Sequence, residues 1–151
     1  MSFRSNSFAR IVTAGFVGLV FAAGLAAAGT EYGIVYKKKD ISAVAKFIPY
    51  TYNGIYMEII AVKASDGSIR TALNTCQVCY DSGRGFYKQV GNLFVCQNCG
   101  NRFLVDQVEK VKGGCNPVPI LPQNKTDLGD SIGISKQLLA QAAPFFARWK
   151  R

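Results

Sequence analysis

Two cysteine pairs constrain this chain more than any other feature: Cys76-Gln-Val-Cys79 and Cys96-Gln-Asn-Cys99, separated by sixteen residues. In a C-x-x-C knuckle one tight turn aims two sulfurs at the same point, and the intervening stretch is long enough for a hairpin that returns the chain. The spacing matches a tetrathiolate metal site. Two disulfides or a redox-active dithiol are the alternatives that the same residues leave open. A fifth cysteine stands in Gly113-Gly114-Cys115-Asn116-Pro117, a run of turn-forming residues that describes a tight, preset loop. Five is odd, so a pure disulfide framework and a four-thiolate centre each leave one thiol over.

The chain has no histidine. This removes mixed Cys/His zinc sites, Rieske ligation, covalent haem attachment and every Cys-His or Ser-His catalytic couple, and leaves thiolates to supply most of the shell of any metal. Hydrolysis is disfavoured further: the acids are spread along the chain, and Gly83-Arg84-Gly85 lacks the other parts of a phosphate loop. The expectation is a metal-binding or electron-carrying protein rather than an enzyme.

Residues 1–10 are polar, with Arg4 and Arg10 and no acid, and residues 11–29 then run nineteen positions without a charge. A basic flank of this kind stays in the cytoplasm and directs the downstream chain across the membrane. At about 1.5 Å per residue such a run just spans a hydrocarbon core of about 30 Å, which favours a retained transmembrane helix. Ala26-Ala27-Ala28 before Gly29 meets a small-x-small cleavage rule, so a cleaved signal peptide is the alternative. The expected organisation is an anchor over 1–29, a polar tether over 30–40 and an extracytoplasmic domain over 41–151. Either outcome places residues 30–151 outside the cytoplasm, in an oxidising compartment where disulfides compete with metal for the thiols.

The formal charge of +9 comes from 18 basic and 9 acidic residues. Nucleic-acid binding is not expected, because an export segment precedes the domain and no basic helix or aromatic-basic alternation is present. Lysines beside anionic lipid headgroups are the simpler reading.

Residues 41–52 and 55–64 read as strands about an Asn53-Gly54 turn, and 69–74 as a strand leading to the first knuckle. Residues 86–89 and 93–95 form a hairpin that returns to the second, where Gly100 lets backbone N–H groups turn toward the sulfurs. A strand is expected over 103–111, an irregular loop over 113–122, and a helix over 134–149 that begins near Ser131 and is interrupted at Pro144. The fold class is therefore mainly β (small α+β): a β-rich domain with a ribbon-like double C-x-x-C metal site, a C-terminal helix and one N-terminal transmembrane helix. Tyr50, Tyr52, Tyr56 and Tyr87 are candidates to shield the centre, with core or cross-strand packing the alternative. Asp66 and Asp106 are candidate iron carboxylates, with turns and solvated surface the alternative.

The two knuckles, Gly85-Phe86-Tyr87, the run from Val95 to Phe103, and Gly113-Gly114-Cys115-Asn116-Pro117-Val118-Pro119 together resemble the membrane iron-sulfur proteins called FtrD-like. The resemblance implies that Cys76, Cys79, Cys96, Cys99 and Cys115 are the metal residues, and that the metal is iron or an iron-sulfur cluster. It also implies a membrane permease and an extracytoplasmic iron-binding or redox protein as partners, with a role in electron transfer or metal handling during iron uptake. The setting it implies is a bacterial inner membrane crossed once, with the domain in the periplasm; members often carry several spans, whereas one apolar segment is expected here, so the polytopic portion is absent or supplied by a separate chain. Spacing alone leaves zinc open, in a structural ribbon docked on a membrane complex. A thiol-disulfide exchange protein is the third reading, though the βαβ context of a thioredoxin-like motif is missing.

Overall fold

The computed structural model describes residues 32–150, so the anchor expected over 1–29 lies outside the described residues. Among the described residues no helix is long and apolar enough to cross a membrane. The strands in chain order are β1 (Tyr32–Lys37), β2 (Lys46–Tyr52), β3 (Ile55–Lys63), β4 (Ile69–Cys76) and β5 (Tyr87–Val90). They continue as β6 (Leu93–Cys96), β7 (Arg102–Leu104), β8 (Pro117–Pro119), β9 (Lys125–Asp127) and β10 (Ser131–Ser135), followed by one helix, α1 (Lys136–Ala142). Three antiparallel sheets result, ordered β1-β10-β9, β2-β3-β4-β8 and β5-β6-β7.

The β2–β3 hairpin forms where Asn53 and Gly54 take φ of 47° and 79°, the left-handed pair that matches strand twist. Strand β3 then reads as an almost unbroken apolar run, and it is buried on both faces from Met57 to Val62. Because side chains alternate across a strand, Met57, Ile59 and Ala61 enter one core with Ile34, Tyr36, Ile132, Ile134 and Leu139. Ile60 and Val62 enter a second core with Tyr87, Phe94, Phe103 and the side chains of Cys76, Cys79 and Cys96. Full burial of an isoleucine is worth about 1.5–3 kcal/mol, and β3 contributes one such residue to each core. The sulfurs thus rest on the same strand that supports the rest of the domain.

Several elements differ from the sequence-based expectation. The polar stretch read as a tether contains β1, which pairs with β10 through Tyr36 opposite Ile132 and buries Ile34 and Tyr36 while Val35 and Lys37 face outward. The strand expected over 103–111 stops at Leu104, whose N–H is taken by the Gln107 side chain at 3.1 Å, and a 3-10 turn follows. There Asp106 reaches away to accept from the Ser65 N–H and hydroxyl at 2.8 and 2.6 Å. Glu109 pins the end of that loop, accepting from the Thr71 N–H and hydroxyl and from Lys125 Nζ. The helix is also shorter than its apolar spacing implied. Ser131 and Ile134 belong to β10, Ser135 caps α1 by accepting from the Leu138 N–H at 3.4 Å, and the helix gives way to a 3-10 turn containing Pro144, which cannot continue it. Within the loop expected over 113–122, residues Pro117–Pro119 add an edge strand to β4.

Candidate metal centre

Each sulfur is delivered by an element whose register is fixed elsewhere. Cys76 ends β4 and Cys96 ends β6. Pro117 lies opposite Cys76 in the β4–β8 pairing, which brings the loop carrying Cys115 beside the first knuckle. Residues 85 and 86 join the knuckles: the Gly85 carbonyl accepts from the Cys76 N–H at 2.7 Å, and the Phe86 carbonyl accepts from the Gln97 N–H at 2.8 Å. Tyr87 then pairs with Cys96 across the β5–β6 hairpin.

All five cysteines are free thiols gathered at one place. The sulfurs of Cys76, Cys79, Cys96 and Cys115 lie within 4.8 Å of one another. Cys115 Sγ is 3.3 Å from that of Cys76, 3.6 Å from that of Cys79 and 2.8 Å from that of Cys99. Metal–sulfur bonds of about 2.3 Å in a tetrahedron place sulfurs about 3.8 Å apart, so the group has the dimensions of a shell around one ion. Cys76 and Cys96 are 0% and 1% exposed, whereas Cys99 is exposed. Three of the four knuckle sulfurs stand in the tight group with Cys115, and Cys99, which the spacing would have placed fourth, lies at its edge against Cys115.

The surroundings favour negative sulfur at Cys76 and Cys99 and disfavour it at Cys79 and Cys115. Burial raises the Cys76 thiol, but the Tyr87 hydroxyl and the backbone N–H groups of Cys79 and Val78 outweigh it and bring the thiol below its ordinary value. The Cys79 N–H reaches Cys76 Sγ at 3.2 Å. Burial pushes the Cys79 thiol up to about 11 and raises Cys115 as well, while hydrogen bonds from Cys115 and from the Asn101 N–H bring Cys99 down to about 7. Burial, and then the hydrogen bond to Cys76, keep the Tyr87 hydroxyl protonated and therefore a donor. Gly100 lets a backbone N–H face sulfur as expected, and the N–H that does so is that of Asn101. Gly100 itself takes φ of 73° and donates to the Cys96 carbonyl at 2.9 Å, and this turn leaves Asn101 to serve Cys99.

The model of the family described as membrane iron-sulfur containing protein FtrD-like matches residues 41–146. The chain belongs to the FtrD-like family. No curated protein and no solved structure was found to match it. The FtrD-like family is iron-sulfur containing and membrane-associated by its description, and this member carries a cysteine cluster that can bind a metal. The donor set fits such a group, since soft thiolates alone line the site and N–H and O–H donors face the sulfurs.

Behind the FtrD-like cluster, Asn74 ties three elements together, and sequence reading missed it. Its side chain, 1% exposed, donates to Glu58 Oε1 at 2.8 Å and accepts from the Tyr87 N–H at 2.8 Å. Its carbonyl accepts from Trp149 Nε1 at 2.7 Å. Losing the side chain would strand the Tyr87 N–H in the core, a penalty of about 1–3 kcal/mol. Asn101 likewise holds the fifth cysteine, its amide donating to the Cys115 carbonyl at 2.6 Å. The available signal was Asn74 itself, a polar side chain at a strand position two residues before a knuckle.

Of the four tyrosines expected near the centre, Tyr87 is there, with its hydroxyl 4.0 Å from Cys115 Sγ. Tyr50 and Tyr52 pack on the other core, and Tyr56 lies against Trp149 at 5.3 Å between ring centroids. Asp66 and Asp106 serve turns, Asp66 accepting from the Ser68 N–H at 3.0 Å and pairing with Arg70.

Proposed function

We propose that this FtrD-like chain is a membrane-anchored, extracytoplasmic protein that holds a thiolate-bound iron centre and serves electron transfer or metal handling in iron uptake. The observation that carries the reading is the convergence of cysteines from both knuckles and the 113–117 loop on one point, in a chain without histidine. Cys76, Cys79, Cys96 and Cys115 are the ligands we assign, with Cys99 at the rim. Thiolate-bound iron supplies one-electron chemistry whose potential follows hydrogen bonding and burial. The residues that would set it are Tyr87, the Val78 and Cys79 N–H groups, and the buried walls around Cys76 and Cys96. The exposed edge at Cys99 leaves one side open to a permease or an iron-binding partner. Membrane attachment rests on the family description and on the uncharged run over 11–29, and outward placement on Arg4 and Arg10 before it.

A structural zinc ribbon is the second reading, favoured by sulfurs that lie within 4.8 Å, since one tetrahedral ion needs such spacing and a multi-iron cluster spreads its cysteines further. Metal quantitation with visible and electron paramagnetic resonance spectra on anaerobically purified chain separates the two. Iron with thiolate-to-metal absorption is expected; colourless protein with stoichiometric zinc would replace the first reading by the second, and metal-free disulfides would exclude both. A reporter fused to the C-terminus should give an extracytoplasmic signal, and a cytoplasmic one would overturn the topology.

A further inference from the structure

We propose that Cys99 and Cys115 form a disulfide in response to thiol oxidants and that this bond withdraws Cys115 from the metal, making the rim of the site a redox-controlled release point. The inference rests on the reading that Cys76, Cys79, Cys96 and Cys115 hold the ion.

Three observations lead to it. A four-coordinate shell leaves one of five thiols unused, and the thiol at the edge of the tight group is Cys99. Cys99 is also exposed while Cys76 and Cys96 are 0% and 1% exposed, so a dissolved oxidant meets Cys99 first. Cys96 and Cys79 also face Cys99, but the sulfur in direct contact is that of Cys115, Sγ to Sγ 2.8 Å. Third, the two residues are tied together by protein contacts that do not involve sulfur. The Asn101 amide, two positions beyond Cys99, holds the Cys115 carbonyl at 2.6 Å, a contact between the two segments that does not depend on either sulfur. Cys115 sits on a loop behind Gly113 and Gly114, both at positive φ, whereas Cys76 and Cys96 end strands whose register would have to change for them to move.

The chemistry balances with a disulfide R–S–S–R as oxidant, either a small molecule or a protein. The Cys99 thiolate attacks one sulfur of R–S–S–R, a Cys99–S–S–R bond forms, and R–S⁻ leaves. The Cys115 thiolate then attacks the Cys99 sulfur and expels the second R–S⁻. Two cysteine thiolates lose two electrons in total, R–S–S–R gains them, and the shell falls from four sulfurs to three. A dithiol reductant reverses the sequence.

The test uses the full-length chain in detergent, loaded with Zn²⁺ as a redox-silent reporter and titrated anaerobically with oxidised glutathione. Non-reducing peptide mapping by mass spectrometry follows the bridges, and a chromogenic chelator follows released zinc. The expected first bridge is Cys99–Cys115, formed in step with zinc release. Cys99→Ser should bind zinc and release it at least about 10-fold more slowly, because the entry thiol is gone. A first bridge within a knuckle, release from Cys99→Ser at the wild-type rate, or failure of Cys99→Ser to bind zinc would each overturn the proposal. If the wild-type chain binds no zinc, the metal reading fails separately, and the bridge map of the metal-free chain still decides which thiols pair.

Discussion

Replacing Cys76 with serine is expected to lower metal affinity by at least about 100-fold, since changes in outer partners alone typically cost about 10–100-fold and this residue supplies a ligand. Cys76 is fully buried, receives N–H groups from its own knuckle and faces the Tyr87 hydroxyl. A serine hydroxyl is a shorter, harder ligand that stays protonated at neutral pH, so the soft thiolate position is lost and the donors around it face a neutral oxygen in place of an anionic sulfur. Because binding free energy at such a site is also folding free energy, the variant should gain far less thermal stability from added metal than the wild type gains. Chelator competition and melting curves with and without metal measure both effects. Affinity within about tenfold of wild type would remove Cys76 from the ligand set.

The features legible in the sequence are local ones. The knuckles, the Asn53-Gly54 hairpin and the hairpin between them arise from residues that determine their own turns, and these elements stand where expected. Strand β1 was hidden because its alternation is only two buried residues deep, Ile34 and Tyr36, and a lysine run at 37–39 follows it directly. Ile134 and Leu138 are four apart and so fit a helical stripe, yet Ile134 is placed by β10 pairing with β1 and β9, a choice made by partners distant in sequence. The same holds within the site. Cys115 enters through the pairing of Pro117 with Cys76, and Asn74 works through Glu58, Tyr87 and Trp149, which lie 16, 13 and 75 positions away. Spacing reports which residues are able to meet; the strands that bring them together are set by burial on both faces of β3.

The second large effect should come from a residue without a side chain. A Cβ at Gly85 would lie 2.4 Å from the backbone carbon and oxygen of Cys79 and 2.6 Å from the Tyr80 nitrogen. These are main-chain atoms of the first knuckle, so no rotamer change relieves the contact, and the knuckle itself must shift. Gly85 also accepts the Cys76 N–H, and its neighbour Phe86 accepts the Gln97 N–H, so a displacement there pulls on both knuckles together. Gly85→Ala is therefore expected to cost about 3 kcal/mol of stability, the upper end for overpacking, and to weaken metal binding by about 10–100-fold. Gly91→Ala is the matching control: nothing lies within 4 Å of its Cβ, and its φ of 60° exposes the variant to conformational strain alone. That strain is about 1–2 kcal/mol and lies at the far end of the β5–β6 hairpin, so metal affinity should not change. Urea unfolding and chelator competition on both variants distinguish a steric effect at the knuckle from a general penalty for replacing glycine. Equal losses in the two would show that the close approach of Gly85 to Cys79 does not set the geometry of the site.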